Sequence, residues 1–383
     1  MNEPAPSSQE PLADAETERR HLVVGTGGIA HAHAAAVAAH RGRAAVVSAV
    51  DIDSRRAEAF AAEHGIPHWG TDLAQALQER PDLAHVCTPP GSHVPLALQC
   101  IEAGVPVLLE KPPALSLAEL DVLLEASGRT GVDVAVVFQH RFGAAGLRLR
   151  QLLREGALGR PLVAVCDTMW YRPPEYFAVP WRGKWDVEGG GPTMGHGIHQ
   201  FDLLLALLGD WTEVSAMAAR LARETATEDV STALVRFDGG ALATIVNSLL
   251  SPRETSVLRI DTELATVEVE HLYGYSEDDW TITPAPGHES VRDSLAAVAP
   301  DTRSCHADQV GAVLDAMDAG VPLPVPLREA RDTMELVAAM YASAFTGKTV
   351  RKGEIVPGHP FYTRMDGAGA PWAEDLSLEG APL

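Results

Sequence analysis

The sequence predicts an α/β protein: a doubly wound parallel sheet, then a second α/β domain on a large, mostly antiparallel sheet. Three observations carry this. Short apolar runs alternate with helical stretches from residue 21 to 143, the pattern of a parallel sheet covered by helices on both faces. The first run opens into Gly25-Thr26-Gly27-Gly28-Ile29-Ala30, a glycine turn at a helix start. After Gly209 short strands follow one another closely, which suits antiparallel pairing. With 383 residues, 46% of them hydrophobic, two domains are the default. They read as 21–143 and 144–365. An acidic lead-in over 1–20, bearing Pro and Ser, lacks signal-peptide features and is expected to be disordered. Residues 366–383 read as a polar tail or an arm onto a partner subunit.

In the first domain, residues 21–24 form a strand and the helix after the glycine turn runs to about His40. Gly25 allows the tight turn, Gly27 lets the backbone approach a pyrophosphate, and Gly28 and Ile29 open a helix whose N–H groups can hold it. Ala30 lets that helix lie close to the sheet. A second strand, 45–50, ends in Asp51, 21 residues beyond Ala30 and near the spacing at which a carboxylate meets the adenine ribose. A carboxylate there repels a 2′-phosphate and favours NAD, while Arg55 and Arg56 keep NADP open. Asp51 is alternatively the N-cap of a helix over 54–64. Further strands read at 66–69, 83–87, 105–109 and 132–138, with helices at 73–78, 94–103 and 117–127. The turns at Gly25, Asp51, Thr88-Pro89, Glu110 and Gln139 each follow a strand, so they line the one sheet edge where a dinucleotide lies. His31, His33 and His40 share no helix face, which argues for packing or solvation rather than a metal site.

A formal charge of −22 argues against nucleic acid and anionic membranes as partners. No stretch approaches the roughly 20 apolar residues of a membrane helix. Cys87, Cys100, Cys166 and Cys305 are scattered, which fits a reducing cytoplasm. Only four of the 30 basic residues are lysines, and Lys111 stands directly after the strand over 105–109, beside Glu110. Lysine can lose its proton when its pKa is depressed; arginine cannot. The plain alternative is a surface lysine paired with Glu110.

The second domain opens with a helix over 147–156 and a strand over 162–171. Residues 170–185 hold Trp170, Tyr171, Tyr176, Phe177, Trp181 and Trp185, interleaved with Arg172, Arg182 and Lys184. Aromatic faces with guanidinium donors suit a sugar. Tyr171, Arg172, Trp181, Arg182 and Lys184 are therefore candidate substrate contacts, with interface packing as the alternative. After Gly189-Gly190-Gly191, Pro192 starts a helix that buries Met194, Ile198, Phe201, Leu205 and Leu208. His196 and His199, three apart, share its neighbouring face; as a bare pair they could merely pack or cap. Asp202 is the only carboxylate expected nearby, too few ligands for a metal, and none is expected. Strands at 214–221, 230–237, 242–249, 255–262 and 265–270 and a hairpin turn at 238–240 build the sheet, and helices over 305–319 and 328–345 are expected to cover it.

The run Gly25 to Ala30, Thr88-Pro89 with His93, Glu110-Lys111-Pro112 and Gln139-His140-Arg141-Phe142 resembles the glucose–fructose oxidoreductase, inositol dehydrogenase and MocA family over about residues 20–365. The resemblance implies a Rossmann domain, a large open sheet in the second domain, a nicotinamide cofactor and sugar-like substrates. It also implies dimers or tetramers packed through the sheet, with Lys111 and His199 in the catalytic set. The family writes Asp where this chain has Gly195, so a role for His196 beside it is inferred. The expected activity is hydride transfer at a sugar, polyol or cyclitol carbon. His199 then acts as base, Lys111 polarises the oxygen or relays the proton, and Glu110 orients Lys111. Two rivals are an enzyme that retains NAD for redox-neutral glycoside hydrolysis or epimerisation, and a non-catalytic cofactor-binding regulator.

Overall fold

The computed structural model describes residues 18–294 and 303–373. Strand β1 (Arg19–Val24) leads into α1 (Gly28–Ala39). The alternation continues through β2 (Ala44–Val50), α2 (Ser54–His64), β3 (His68–Gly70), α3 (Leu73–Gln78), β4 (Leu83–Val86) and α4 (His93–Glu102). It ends with β5 (Val107–Leu109), α5 (Leu117–Thr130) and β6 (Val134–Val136). The sheet order is β3-β2-β1-β4-β5-β6, every neighbour parallel. The order reverses between β1 and β4, where a doubly wound sheet leaves its ligand crevice. β1 begins two residues inside the expected lead-in; the rest of that segment, 1–17, lies outside the described residues.

Local chemistry sets these boundaries. Asp53 caps α2 by accepting from Arg55 N, Asp72 caps α3 and Ser116 caps α5. Gly65 and Gly131 close their helices with positive φ. The cap of α2 is thus Asp53, which leaves the Asp51 carboxylate to the sheet edge. On α1 the side chains of Ala30, Ala34, Ala36 and Val37 are buried, small enough to let the helix lie close to its neighbours.

The second sheet follows α6 (Ala144–Arg154). Its strands are β7 (Pro161–Tyr171), β8 (Trp211–Ala219), β9 (Val230–Phe237), β10 (Leu242–Ser248), β11 (Leu250–Thr262), β12 (Ala265–His271), β13 (Trp280–Pro284) and β14 (Val350–Arg351). Their order is β13-β12-β11-β7-β10-β9-β8-β14, antiparallel except for β7 beside β10. Between β7 and β8 lie α7 (Trp185–Glu188), α8 (Pro192–Gly195) and α9 (Ile198–Leu208). Helices α10 (His306–Ala319), α11 (Leu327–Thr346) and α12 (Pro360–Thr363) complete the chain. Strict alternation of burial along β9 shows one covered and one open face.

Three expectations are corrected. The single helix expected from Pro192 to Gly209 is broken into α8 and α9 at His196, whose φ of −119° leaves the helical range, while Gly197 packs so closely on Asn247 that an added Cβ would sit 2.1 Å from its Oδ1. Helix α11 packs on β8 as expected, but α10 packs on α1 of the first domain, burying Val310, Val313 and Leu314 against Val37, Leu83 and Leu108. Finally, residues 366–373 fold back on their own chain: the Trp372 indole donates to Ala226 O at 2.8 Å and meets Phe345 edge-on. Residues 374–383 lie outside the described residues.

The return of the chain also closes the β6 edge. Val136 N donates to Val325 O, and the Gln309 side chain donates to Val136 O (2.8 Å) and accepts from Phe138 N (3.1 Å). Both bonds are buried, and each buried group left unpaired costs about 1–3 kcal/mol. Gln309→Ala is therefore expected to lower the melting temperature clearly, while the exposed control Gln99→Ala leaves it unchanged; equal melting curves by circular dichroism would refute this role.

Candidate active site

A cavity of about 1070 Å³ lies where the carboxyl ends of β1, β2, β4 and β5 face the segment from β7 to α9. Its floor holds Gly25, Gly27, Gly28, Ile29 and Asp51. Thr88, Pro89, Glu110 and Lys111 form one wall, and Trp170, Arg172, Tyr176, Trp181 and Arg182 the opposite one. Gly195, His196, His199 and Tyr273 close the inner end.

The floor fits a dinucleotide. Gly25 has φ +86°, and a Cβ on it would strike Thr88 Cγ2 at 2.6 Å. Beside Gly27 and Gly28 a Cβ would meet nothing within 4 Å, so the backbone is open to the cavity. No side chain caps α1 at Gly27, leaving its first N–H groups facing the floor. Thr88 Oγ1 is buried without a partner among the described residues. Asp51 accepts from Thr26 N and Oγ1 through one oxygen and from Asp53 N and Arg56 through the other. Burial alone would raise its pKa, but these bonds hold it below the usual carboxylate range. Arg56 is thereby tied to Asp51 at 2.9 Å. Ala30 packs beneath the floor with Val23 and Cys87 rather than lining it.

Several expected residues support the cavity from behind. The ring nitrogens of His93 lie 2.7 and 2.8 Å from Thr88 O and Pro112 O and pin the two turns together. Gln139 donates to Tyr273 Oη at 2.9 Å. Tyr171 and Lys184 lie outside the lining: the Tyr171 ring meets Arg223, and Lys184 is an exposed residue ahead of α7.

At the inner end Lys111 Nζ donates to Gly195 O at 3.0 Å, and the Lys111–Pro112 peptide is cis. Burial pulls the lysine pKa down, while Glu110 and Glu188 oppose that shift. Glu110 does not hold the amine: its Oε2 accepts the Lys111 backbone N–H instead. His199 is buried, and neither ring nitrogen has a partner among the described residues. Its ring lies 4.9 Å from His140 and edge-on to Tyr273. Burial, then the Lys111 charge, keeps it neutral well below the usual histidine range. His196 sits in the break between α8 and α9, against Trp170 and near Tyr176, so the two histidines occupy different backbone environments rather than one helix face. Asp202, expected near the site, is taken up by Arg141 (2.5 and 2.6 Å) and Thr333.

Sequence reasoning missed Glu188, Tyr273 and Glu254 in the lining. It also missed Glu228, whose buried carboxylate accepts from Gly191 N, Thr193 N and Tyr341 Oη; a Cβ on Gly190 would strike Tyr341 and one on Gly191 would strike Glu228, which accounts for the last two of the three glycines. Only a register between distant segments would have revealed these.

Beneath Glu110 runs a buried histidine chain. Glu110 Oε1 accepts from His33 Nε2 (2.9 Å) and His306 Nε2 (3.4 Å). His33 Nδ1 meets His85 Nδ1, and His85 Nε2 meets His21 Nδ1. Because the carboxylate is acceptor-only, His33 carries its proton on Nε2, His85 on Nδ1 and His21 on Nδ1. His21 Nε2 is then a bare acceptor, and it is the nitrogen left without a partner. Burial alone would raise Glu110, but the two imidazoles hold it well below the carboxylate range. The Glu110, His33 and His306 donor atoms also have metal-ligand spacing. His33 was expected merely to pack; here it anchors the residue before Lys111.

The matched family models agree with this geometry. Residues 19–138 match the oxidoreductase family, NAD-binding Rossmann fold, and residues 147–268 match the GFO/IDH/MocA C-terminal domain. The scyllo-inositol 2-dehydrogenase (NAD(+)) of Bacillus subtilis strain 168 is 30% identical over 244 residues, 62% of this chain and 69% of that protein. The D-glucoside 3-dehydrogenase of Escherichia coli K12 is 25% identical over 86% of this chain and 97% of its own. Among solved structures, the WlbA dehydrogenase of Bordetella pertussis, in complex with NADH and UDP-GlcNAcA, is 28% identical with a TM-score of 0.77, covering 88% of this chain and 99% of that one. The chain belongs to the Gfo/Idh/MocA family of NAD-binding oxidoreductases.

Protonation of the histidine chain links pH to stability. His21 is pulled down by burial to about 4 from an ordinary value of 6.5, and His33 and His85 are also lowered by burial. Between those values the unfolded chain binds protons the folded one refuses, so stability falls as pH drops. The melting temperature should hold steady above about pH 7 and decline from about 6.5 toward 4. Replacing His21 by Leu should flatten part of that decline; an identical slope in the variant would remove His21 from the account.

Proposed function

We propose that the protein catalyses NAD-dependent oxidoreduction at a CH–OH carbon of an uncharged sugar or cyclitol, with Lys111 and His199 as the proton-handling pair. One observation carries this: the Lys111 amine, from the end of β5, and the unpartnered His199 imidazole, from α9, face a single cavity whose floor fits a dinucleotide. When bound, the nicotinamide supplies the hydride chemistry. Lys111 donates a hydrogen bond to the substrate oxygen and His199 takes or returns its proton; burial moves the lysine pKa down toward the working range and keeps the imidazole neutral, with a ring nitrogen free to accept. The neutral tautomer of His199 lets it accept. His196 borders the same space.

The opposite wall favours an uncharged ligand. Arg172 is paired with Glu254 at 2.9 Å, and Arg182 with Glu188 at 3.4 Å and Tyr176. The same guanidinium groups stack on Trp170, Tyr176 and Trp181. A polar rim with flat apolar faces and little net charge suits sugar hydroxyls and C–H faces. The relatives named as glucoside and inositol dehydrogenases point to the same class. NAD rather than NADP fits Asp51, whose carboxylate already holds the nearest guanidinium, Arg56. A reducing cytoplasm fits the four unpaired thiols.

Lys111→Ala is expected to keep cofactor binding, read by quenching of intrinsic fluorescence, and to lose about 10²–10⁴-fold in turnover on its best sugar. Wild-type turnover in that variant would end the assignment.

The open face of the second sheet carries Val163, Met217, Leu234 and Leu242, between 46% and 77% exposed, on the adjacent strands β7, β10, β9 and β8. Such a patch supports pairing between copies of the chain through this face. Light scattering should give at least twice the 40.7 kDa protomer, and Leu234→Glu should reduce it toward one protomer. A wild-type monomer would refute the arrangement.

A further inference from the structure

The cavity wall holds a carboxylate that the proposed chemistry leaves unused. Glu188 ends α7, just before Gly189, whose φ of +85° turns the chain back toward α8. Its side chain is 11% exposed and lines the cavity with Lys111, Gly195 and His196. Glu188 Oε2 accepts the Gly183 N–H at 2.7 Å, which fixes the carboxylate. Oε1 pairs with Arg182 at 3.4 Å, so the carboxylate stands between that guanidinium and the Lys111 side of the cavity.

Gly195 gives this position meaning. The Lys111 amine makes its one hydrogen bond to the protein, among the described residues, with the Gly195 carbonyl, although an ammonium has three N–H donors. A Cβ placed on Gly195 would find only Glu188 Oε1 within 4 Å, at 3.9 Å. The space beside the Gly195 α-carbon is thus the space that the Glu188 carboxylate borders. A carboxylate mounted on residue 195 and one reaching in from residue 188 would serve the same region next to Lys111.

We propose that Glu188 is the positioning carboxylate of Lys111: from the end of α7 it supplies the negative charge that Gly195 cannot, acting through space on the ammonium that the Gly195 carbonyl holds. Two shifts agree with the geometry. Burial raises the Glu188 pKa while Lys111 lowers it, and burial lowers the Lys111 pKa while Glu110 and then Glu188 raise it. Burial thus brings the two pKa values toward one another, while the opposite charges favour the protonated amine and the ionised carboxylate. The inference rests on the assignment of Lys111 made above.

The test reads Lys111 itself. In the full-length protein as purified, with and without added NAD, acetic anhydride labelling across pH, followed by mass spectrometry of the Lys111 peptide, gives the midpoint of amine deprotonation. Glu188→Gln should move that midpoint down by about one pH unit, the effect of removing one nearby opposite charge. Adding Gly195→Asp to that variant should restore the midpoint and the acid limb of the kcat profile, because the site has room for the side chain. An unchanged midpoint in Glu188→Gln overturns the proposal, as does a shift that Gly195→Asp fails to reverse. Should Glu188→Gln not fold, Gly195→Asp alone should raise the midpoint by about as much, and no rise would overturn the proposal. Failure of the underlying reading looks different: Lys111→Ala would then retain turnover whatever the labelling shows.

Discussion

The hydrogen bond from Lys111 Nζ to the Gly195 carbonyl joins the end of a parallel strand to the break between two short helices of the other half. Much of the architecture exists to make those two places meet. β5 must be buried and central enough to deliver Lys111 at the ligand edge of the sheet. The three glycines must let the chain pass between Tyr341 and Glu228 so that α8 ends at the right depth. Gly197 must yield to Asn247 so that α9 restarts with His199 facing the same cavity. Burial around this contact lowers the lysine pKa and so prepares the amine for proton exchange.

The charged groups around this contact are arranged as nested neutral sets. Asp51 holds Arg56, Glu254 holds Arg172, Asp202 holds Arg141, and Glu110 is held by two imidazoles. A chain with formal charge −22 thereby presents a nearly balanced cavity. Buried charges without such partners would be costly, and among the cations lining the cavity Lys111 keeps donors free for a ligand.

Much of this was legible in the sequence because it is local. The glycine turn, Asp51 at the end of β2 and Glu110-Lys111 at the end of β5 are each fixed by a strand and the few residues after it. His199 was singled out by the family resemblance, since as one of a bare histidine pair it could equally have packed or capped. What escaped was set by distant partners. Whether Tyr171 or Trp170 faces the cavity depends on the pairing of β7 with β11, since one step along a strand changes face. The close seat of Gly197 on Asn247 depends on a strand some fifty residues on, and the entry of Glu188 depends on Gly189 turning the chain. Helix α10 has an ordinary apolar stripe, and nothing in its own residues says that the alanines of α1, rather than the second sheet, receive it.

That last placement bears on how the two lobes are joined. With α10 seated on α1, and residues 323–326 laid along β6, the nucleotide lobe is finished by chain that comes only after the second lobe has been built. Severing the polypeptide near Gly143 would not release a free-standing half; it would bare the flank of α1 and leave the outermost parallel strand without its companion. The lobes are sewn together by a returning thread, so their mutual orientation is written into the core rather than left to a flexible joint.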